Sequence, residues 1–277
     1  MSVDHYENFP VASVLCPPRL RAPVLAIYHF ARTADDLADE GEASAAARLE
    51  DLAAYRSALQ AASLEGALWP RWQAVFAPLR HQIQAFRLPL APLHALLDAF
   101  VQDVHNPPYE DRAALLAYCR RSANPIGRLL LHLYGIEDPV AQARSDAICS
   151  ALQLVNFWQD LSIDGPRGRR YVPQADAQRY GVSADDLATC RDSPAARLLV
   201  RELNEWSCSL MREGAPLCLQ VPGRAGLELR LVVAGGLRIA ERIRQMDHAT
   251  LTRRPVLGLR DLPALFWQAL RVARGRS

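Results

Sequence analysis

Apolar residues recur at three- and four-residue spacing along nearly the whole chain, with Pro and Gly punctuating the breaks. That is the pattern of amphipathic helices. It predicts a first helix within "CPPRLRAPVLAIYHFARTADDLADE", beginning after the Pro pair, and further helices near residues 44–62, 70–86, 91–106, 111–120, 123–135, 138–163, 194–220, 223–248 and 258–274. No apolar–polar alternation is long enough for a strand, and there is no Gly/Ser linker or repeat. The predicted fold is therefore all-α, one helical bundle forming a single domain over residues 1–277. The longest irregular stretch, "DGPRGRRYVPQADAQRYG", directly follows the helix predicted over 138–163, and a long loop in such a place is often functional.

That helix carries polar residues where few are expected. In "NFWQDLSID", Asn156, Asp160 and Asp164 stand at successive four-residue steps, so they share one side of a helix. Around them lie Ala151, Leu152, Val155, Phe157, Trp158 and Leu161, which implies burial on most faces. A carboxylate there is costly unless it is paired or metal-bound. A second row occurs in "ARTADDLADE", where Asp35 and Asp39 are one turn apart and Asp36 lies beside them. One such row is usually a solvated face. Two rows on apolar helices, facing across a cavity, would make a hard oxygen-rich site for Mg²⁺, an ion typically held by one or two carboxylates together with waters and substrate phosphate oxygens. Arg32 precedes the first row and Arg167, Arg169 and Arg170 follow the second. As a group they suit a diphosphate, although charge balance alone would also place arginines there. Candidate walls for an apolar cavity are Phe9, Tyr28, Phe30, Tyr118, Phe157 and Trp158, for each of which plain core packing is the competing account.

Composition narrows the chemistry. The chain has 277 residues and a net charge of +2, too balanced for a dedicated nucleic-acid binder. All 32 basic side chains are Arg, so no catalytic lysine is available. Neither a phosphate-binding G-x-x-x-x-G-K-[ST] loop nor a G-x-G-x-x-G turn after a strand occurs. Cys16, Cys119, Cys149, Cys190, Cys208 and Cys218 have no zinc-site spacing and read as reduced core residues of a cytosolic protein. "MSVDHYENFP" has no basic and apolar secretory pattern, and no apolar run reaches the roughly 18 residues that would span a bilayer. The expected location is cytoplasmic. The basic, aromatic C-terminal stretch with Phe266 and Trp267 fits either a peripheral contact at the inner face of the plasma membrane or a last bundle helix.

Together these features suggest ionisation of an allylic or cyclopropylcarbinyl diphosphate, with metal and arginines on the departing diphosphate and dry walls around the carbocation. The residues resemble the squalene/phytoene synthase family of head-to-head isoprenoid enzymes. "FARTADDLAD" is similar to its first aspartate-rich motif, "LVNFWQDLSIDGPRGRRYVP" to its second, and "YCRRSANPIG" to the segment between them. The resemblance implies an isoprenoid synthase-type bundle with a central apolar cavity. It implies Mg²⁺ ligands at Asp35, Asp36, Asp39, Asn156, Asp160 and Asp164. Catalysis would then fall to Asp35, Asp39, Asp160, Asp164 and Tyr118. His5, Asn8, Phe9, Arg32, Tyr118, Gly127, Gln153, Gln159, Arg169 and Tyr171 would bind substrate.

Within the family, "HYENFPVAS", "SANPIGR", "VNFWQD" and "GGLRIAERI" look most like the bacterial hydroxysqualene-forming members of hopanoid biosynthesis. This implies conversion of presqualene diphosphate and water to hydroxysqualene and diphosphate without NADPH. A presqualene diphosphate synthase would act upstream and a flavin-dependent reductase downstream. Gln159 stands where condensing relatives often carry Arg, and Gly236 near a position where they often carry Tyr. The alternatives are a synthase condensing farnesyl diphosphate to presqualene diphosphate or a phytoene- or squalene-type product, a catalytically silent assembly protein of the same fold, and a terpene-cyclase-like lyase. The "RGRRYVP" continuation argues against the last.

Overall fold

The computed structural model describes residues 15–64 and 66–258, together with 261, 263, 265, 267 and 269. Among these, regular structure is helical throughout, as the periodicity predicts. The helices are α1 (Pro18–Asp39), α2 (Ala45–Ser63), α3 (Gln73–Phe86), α4 (Leu90–His105), α5 (Arg112–Ser122), α6 (Asn124–Leu133), α7 (Pro139–Gln159), α8 (Leu161–Asp164), α9 (Gln174–Arg179), α10 (Ala184–Ala188), α11 (Pro194–Gly214), α12 (Leu217–Gln220) and α13 (Gly223–Gln245). A 3₁₀ turn, Pro70–Trp72, precedes α3. The expected helix over 258–274 falls largely outside the described residues.

These elements pack as two compact units. One comprises Val11–Pro107 with Arg121–Asp138, and so holds α1–α4 and α6. In α1, Leu20, Ile27, Phe30, Ala34 and Ala38 recur at helical spacing and are buried against α3 and α4. The centre is an aromatic nest: Tyr55 stacks on Phe30 at 5.4 Å between ring centroids and lies 4.8 Å from Phe76 and 5.1 Å from Trp72. Tyr55 donates its hydroxyl proton to the Phe30 carbonyl at 3.2 Å, so the buried phenol is satisfied. Phe30, a candidate cavity wall, is fully buried here and acts as core.

The other unit comprises Met1–Pro10, Pro108–Arg120 and Pro139–Ser277. Its axis is α7, flanked by α11 and α13. Gly214 permits the approach of α11, since a Cβ there would lie 2.5 Å from Ile148 Cγ1 and 2.6 Å from the Arg144 carbonyl oxygen. Trp158, another candidate wall, is fully buried and donates its indole N–H to Ser207 Oγ at 2.7 Å. The apolar pattern predicts one helix from 138 to 163, but the chain breaks it at Asp160 (φ −100°, ψ 10°), between α7 and α8. Hydrogen bonds from Asp160 N to Asn156 O and from Asp164 N to Asp160 O carry the four-residue step across the break. The polar row therefore survives it.

Candidate functional site

The first acidic row lies at the end of α1. Arg32 donates to Asp35 Oδ2 at 3.2 Å and to Glu40 Oε1 at 2.6 Å, and its Nη2 is 2.6 Å from Asp36 Oδ1. One guanidinium thus faces three carboxylates, leaving an excess of negative charge. Burial raises the Asp36 pKa and the neighbouring Glu40 adds to the rise, while Arg32 opposes it. Asp39 is exposed at the last position of the helix.

The second row belongs to the other unit. Along the C-terminal half of α7 Ala151, Leu154, Val155, Phe157, Trp158 and Gln159 are buried, and Leu152, Gln153 and Asn156, continued by Asp160, form the partly open stripe. Three of the expected site residues share that stripe. Asp160 is ion-paired with Arg254 through Nε, with Nη2 at 3.4 Å from Oδ2. Asp164 is 6% exposed and accepts a hydrogen bond from Arg169 Nη1 at 3.2 Å. Its pKa is pushed up to about 6, chiefly by burial, with Arg169 opposing and Asp160 reinforcing the shift. The loop returns Arg169 to this carboxylate by a tight turn through Gly165 and Gly168, the latter at φ +75°, and by a bond from Arg169 N to Asp164 O at 3.0 Å.

Aromatic rings adjoin the row. Tyr171 stacks face to face on Phe157 with centroids 3.8 Å apart and planes 8° from parallel, and Tyr118 lies 6.2 Å from both rings. Tyr109 completes the cluster at 5.6 Å from Tyr118. Backbone bonds from Gln174 N to Tyr109 O and from Ala175 N to Glu110 O fix the loop carrying Tyr171. Asp176 is held bidentately by Arg112 at 2.9 and 2.8 Å just beyond it.

Of the residues expected at the site, Asp160, Asp164 and Arg169 are thus gathered at one place, Tyr118 and Tyr171 at a second, and Arg32, Asp35 and Asp36 at a third. Gly127 is buried in α6 and Gln153 is half-buried in α7. His5, Asn8 and Phe9 lie outside the described residues. Gln159 is fully buried, its amide turned to the Pro255 carbonyl. Gly236 sits where a Cβ would meet Met211 Cε at 2.7 Å and Leu152 Cδ2 at 2.8 Å, so α13 packs closely on α7 and α11 there, against side-chain ends that can rotate. Two residues escaped sequence reasoning. Arg254 left no local signal, because its partner is 94 residues away. Tyr109 had only its place in "NPPYE" beside a helix start.

The model of the squalene/phytoene synthase family matches residues 3–261. The chain belongs to this family. It is 37% identical over 246 residues to hydroxysqualene synthase of Rhodopseudomonas palustris, covering 87% of this chain and 80% of that protein. It is 34% identical to hydroxysqualene synthase of Zymomonas mobilis, covering 82% and 75%. Among solved structures it resembles squalene synthase HpnC from Alicyclobacillus acidocaldarius, with a TM-score of 0.80, 35% identity and coverage of 88% of this chain and 90% of that one. The fold is that of the helical isoprenoid synthases, to which these squalene/phytoene synthase relatives belong. Among the described residues no helix is long and apolar enough to cross a membrane.

Proposed function

We propose that this squalene/phytoene synthase family member converts presqualene diphosphate and water to hydroxysqualene and diphosphate. The observation that carries the reading is the similarity to hydroxysqualene synthases over most of the chain, at 34 and 37% identity, with both acidic rows intact.

The residues suit Mg²⁺. Their donors are hard carboxylate oxygens, three carboxylates face the single Arg32 at the first row, and at the second the buried Asp164 lies beside the Asp160 charge. Among the described residues no three His, Cys, Asp or Glu side chains are grouped so as to hold a metal ion. An ion completed by waters and diphosphate oxygens needs no such group. Asp35, Asp36, Asp39, Asn156, Asp160 and Asp164 would hold it. When bound, Mg²⁺ supplies charge neutralisation for the departing diphosphate. Arg32 and Arg169 add guanidinium donors to the same oxygens. Tyr118 and Tyr171, set by Phe157, present ring faces to the cation and keep bulk water away. The C–O bond of presqualene diphosphate breaks with its electron pair leaving on diphosphate. The cyclopropylcarbinyl cation rearranges, one water adds to the allylic cation, and diphosphate takes the released proton. No hydride enters, so NADPH is not required. The prenyl diphosphate is made by a presqualene diphosphate synthase, and a flavin-dependent reductase consumes the alcohol. A C30 hydrocarbon substrate favours work close to the cytoplasmic membrane surface.

The test is mass-spectrometric product analysis with Mg²⁺ and either presqualene diphosphate or farnesyl diphosphate, without NADPH. Hydroxysqualene from presqualene diphosphate alone is expected. Presqualene diphosphate or a phytoene-like product from farnesyl diphosphate would move the chain to the condensing branch.

A further inference from the structure

The segment after α13 crosses the second acidic row and is pinned there at several points. Ser162 N donates to the Thr250 carbonyl at 3.1 Å, Gln159 Nε2 donates to the Pro255 carbonyl at 2.7 Å, and Arg254 is paired with Asp160. Farther along, Asp261 is clasped by Arg238 and Arg242 of α13, each at 2.7 Å. Leu251 and Pro255 are buried while Thr252, Arg253 and Val256 between and beyond them are exposed, so the segment lies as a strap with one side down.

Gln159 is the unusual member of this set. It is fully buried, yet its Oε1 accepts no hydrogen bond, and neither does the buried Thr250 Oγ1 under the same strap. The orientation of the amide is fixed, because only the NH₂ end can meet a carbonyl. A leucine or methionine would fill this space at lower cost if packing were the only requirement. What the amide adds is a directed bond to the residue next to Arg254.

We propose that Gln159 is a positioning residue: its bond to the Pro255 carbonyl holds the strap so that the Arg254 guanidinium stays on Asp160, orienting that carboxylate for the metal-diphosphate chemistry. The inference rests on the proposed activity, and it gives Gln159 a role through the strap, in place of contact with substrate. Proline suits the acceptor position, since it has a carbonyl and no N–H to compete.

The test replaces Gln159 by Met, which keeps the length and removes the donor. Hydrogen exchange followed by mass spectrometry on the unliganded protein reads the tether, and calorimetric titration with magnesium pyrophosphate reads the site. Exchange at Ser162 and Thr252 is expected to rise about tenfold, the loss of one buried hydrogen bond, and pyrophosphate affinity to fall about tenfold, as for loss of a group that orients a ligand. Unchanged exchange would overturn the tether. Faster exchange with unchanged affinity would reduce Gln159 to a structural residue and overturn the positioning role. Should the wild-type protein bind no magnesium pyrophosphate, the proposed activity fails and takes the positioning role with it, while the exchange result still reports on the tether. If the Met variant does not fold, exchange of the wild-type strap with and without magnesium pyrophosphate decides: protection at Ser162 and Thr252 should rise on binding, and no change would overturn the inference.

Discussion

At single residues, the account turns on carboxylates held by arginines. Asp160→Asn keeps the shape of the side chain, removes a charge from the second row, and leaves Arg254 able to reach water. Turnover is expected to fall about 100-fold or more, while the melting temperature moves by no more than about 4 °C. Steady-state assays and thermal melts check both, and an active Asp160→Asn protein would remove this residue from the metal site. Asp261 makes a separate prediction about stability. Burial pushes its pKa up, but the Gly258 N–H and the guanidinium groups of Arg238 and Arg242 outweigh that and hold it at about 2. Its folded pKa lies below the unfolded value, so its contribution is complete above about pH 4 and is lost as the pH falls toward 2. Asp261→Asn should cost about 2 kcal/mol at neutral pH, and should flatten the dependence of urea stability on pH between 4 and 2. An unaltered slope would contradict the assignment.

At the level of elements, glycine contacts around α7 separate packing that cannot yield from packing that can. A methyl at Gly214 meets the Arg144 carbonyl oxygen at 2.6 Å and the Ile148 nitrogen at 2.9 Å, both backbone, so α11 must move away from α7. A methyl at Gly236 meets only the ends of the Met211 and Leu152 side chains, which can rotate. Gly214→Ala should therefore lose about 2 kcal/mol in urea unfolding, whereas Gly236→Ala should stay within about 1 kcal/mol of wild type because helix propensity offsets the crowding. Equal effects would contradict the packing of these helices. The long helices were legible because each buries a recurring apolar face. The break at Asp160 was not, since Trp158 and Leu161 continue the apolar pattern through it. Helices α9 and α10 were missed inside polar sequence, yet α10 carried a readable start: Ser183 and Asp186 form a reciprocal capping box.

Across the whole molecule, the acidic rows could be read from spacing, but their cationic partners could be read only in part. Arg32 and Arg169 lie three and five residues from the carboxylates they meet, within one or two turns of chain. Arg254, the partner from the strap, comes from 94 residues away, a distance over which local periodicity carries no information. The stretch around Arg254 had suggested a membrane contact; the structure adds a second occupation for it, over Asp160. The same strap explains how a fully buried glutamine can bear on a site it does not face. The chemistry proposed for this fold makes a single statement about where the alcohol oxygen originates. Turnover of presqualene diphosphate with Mg²⁺ in ¹⁸O-labelled water, without NADPH, should give hydroxysqualene carrying one ¹⁸O, because water captures the cation after the C–O bond has broken. Presqualene alcohol that retains the unlabelled bridging oxygen of the substrate would mean cleavage at phosphorus with the cyclopropane intact, and would contradict ionisation as the reaction these acidic rows support.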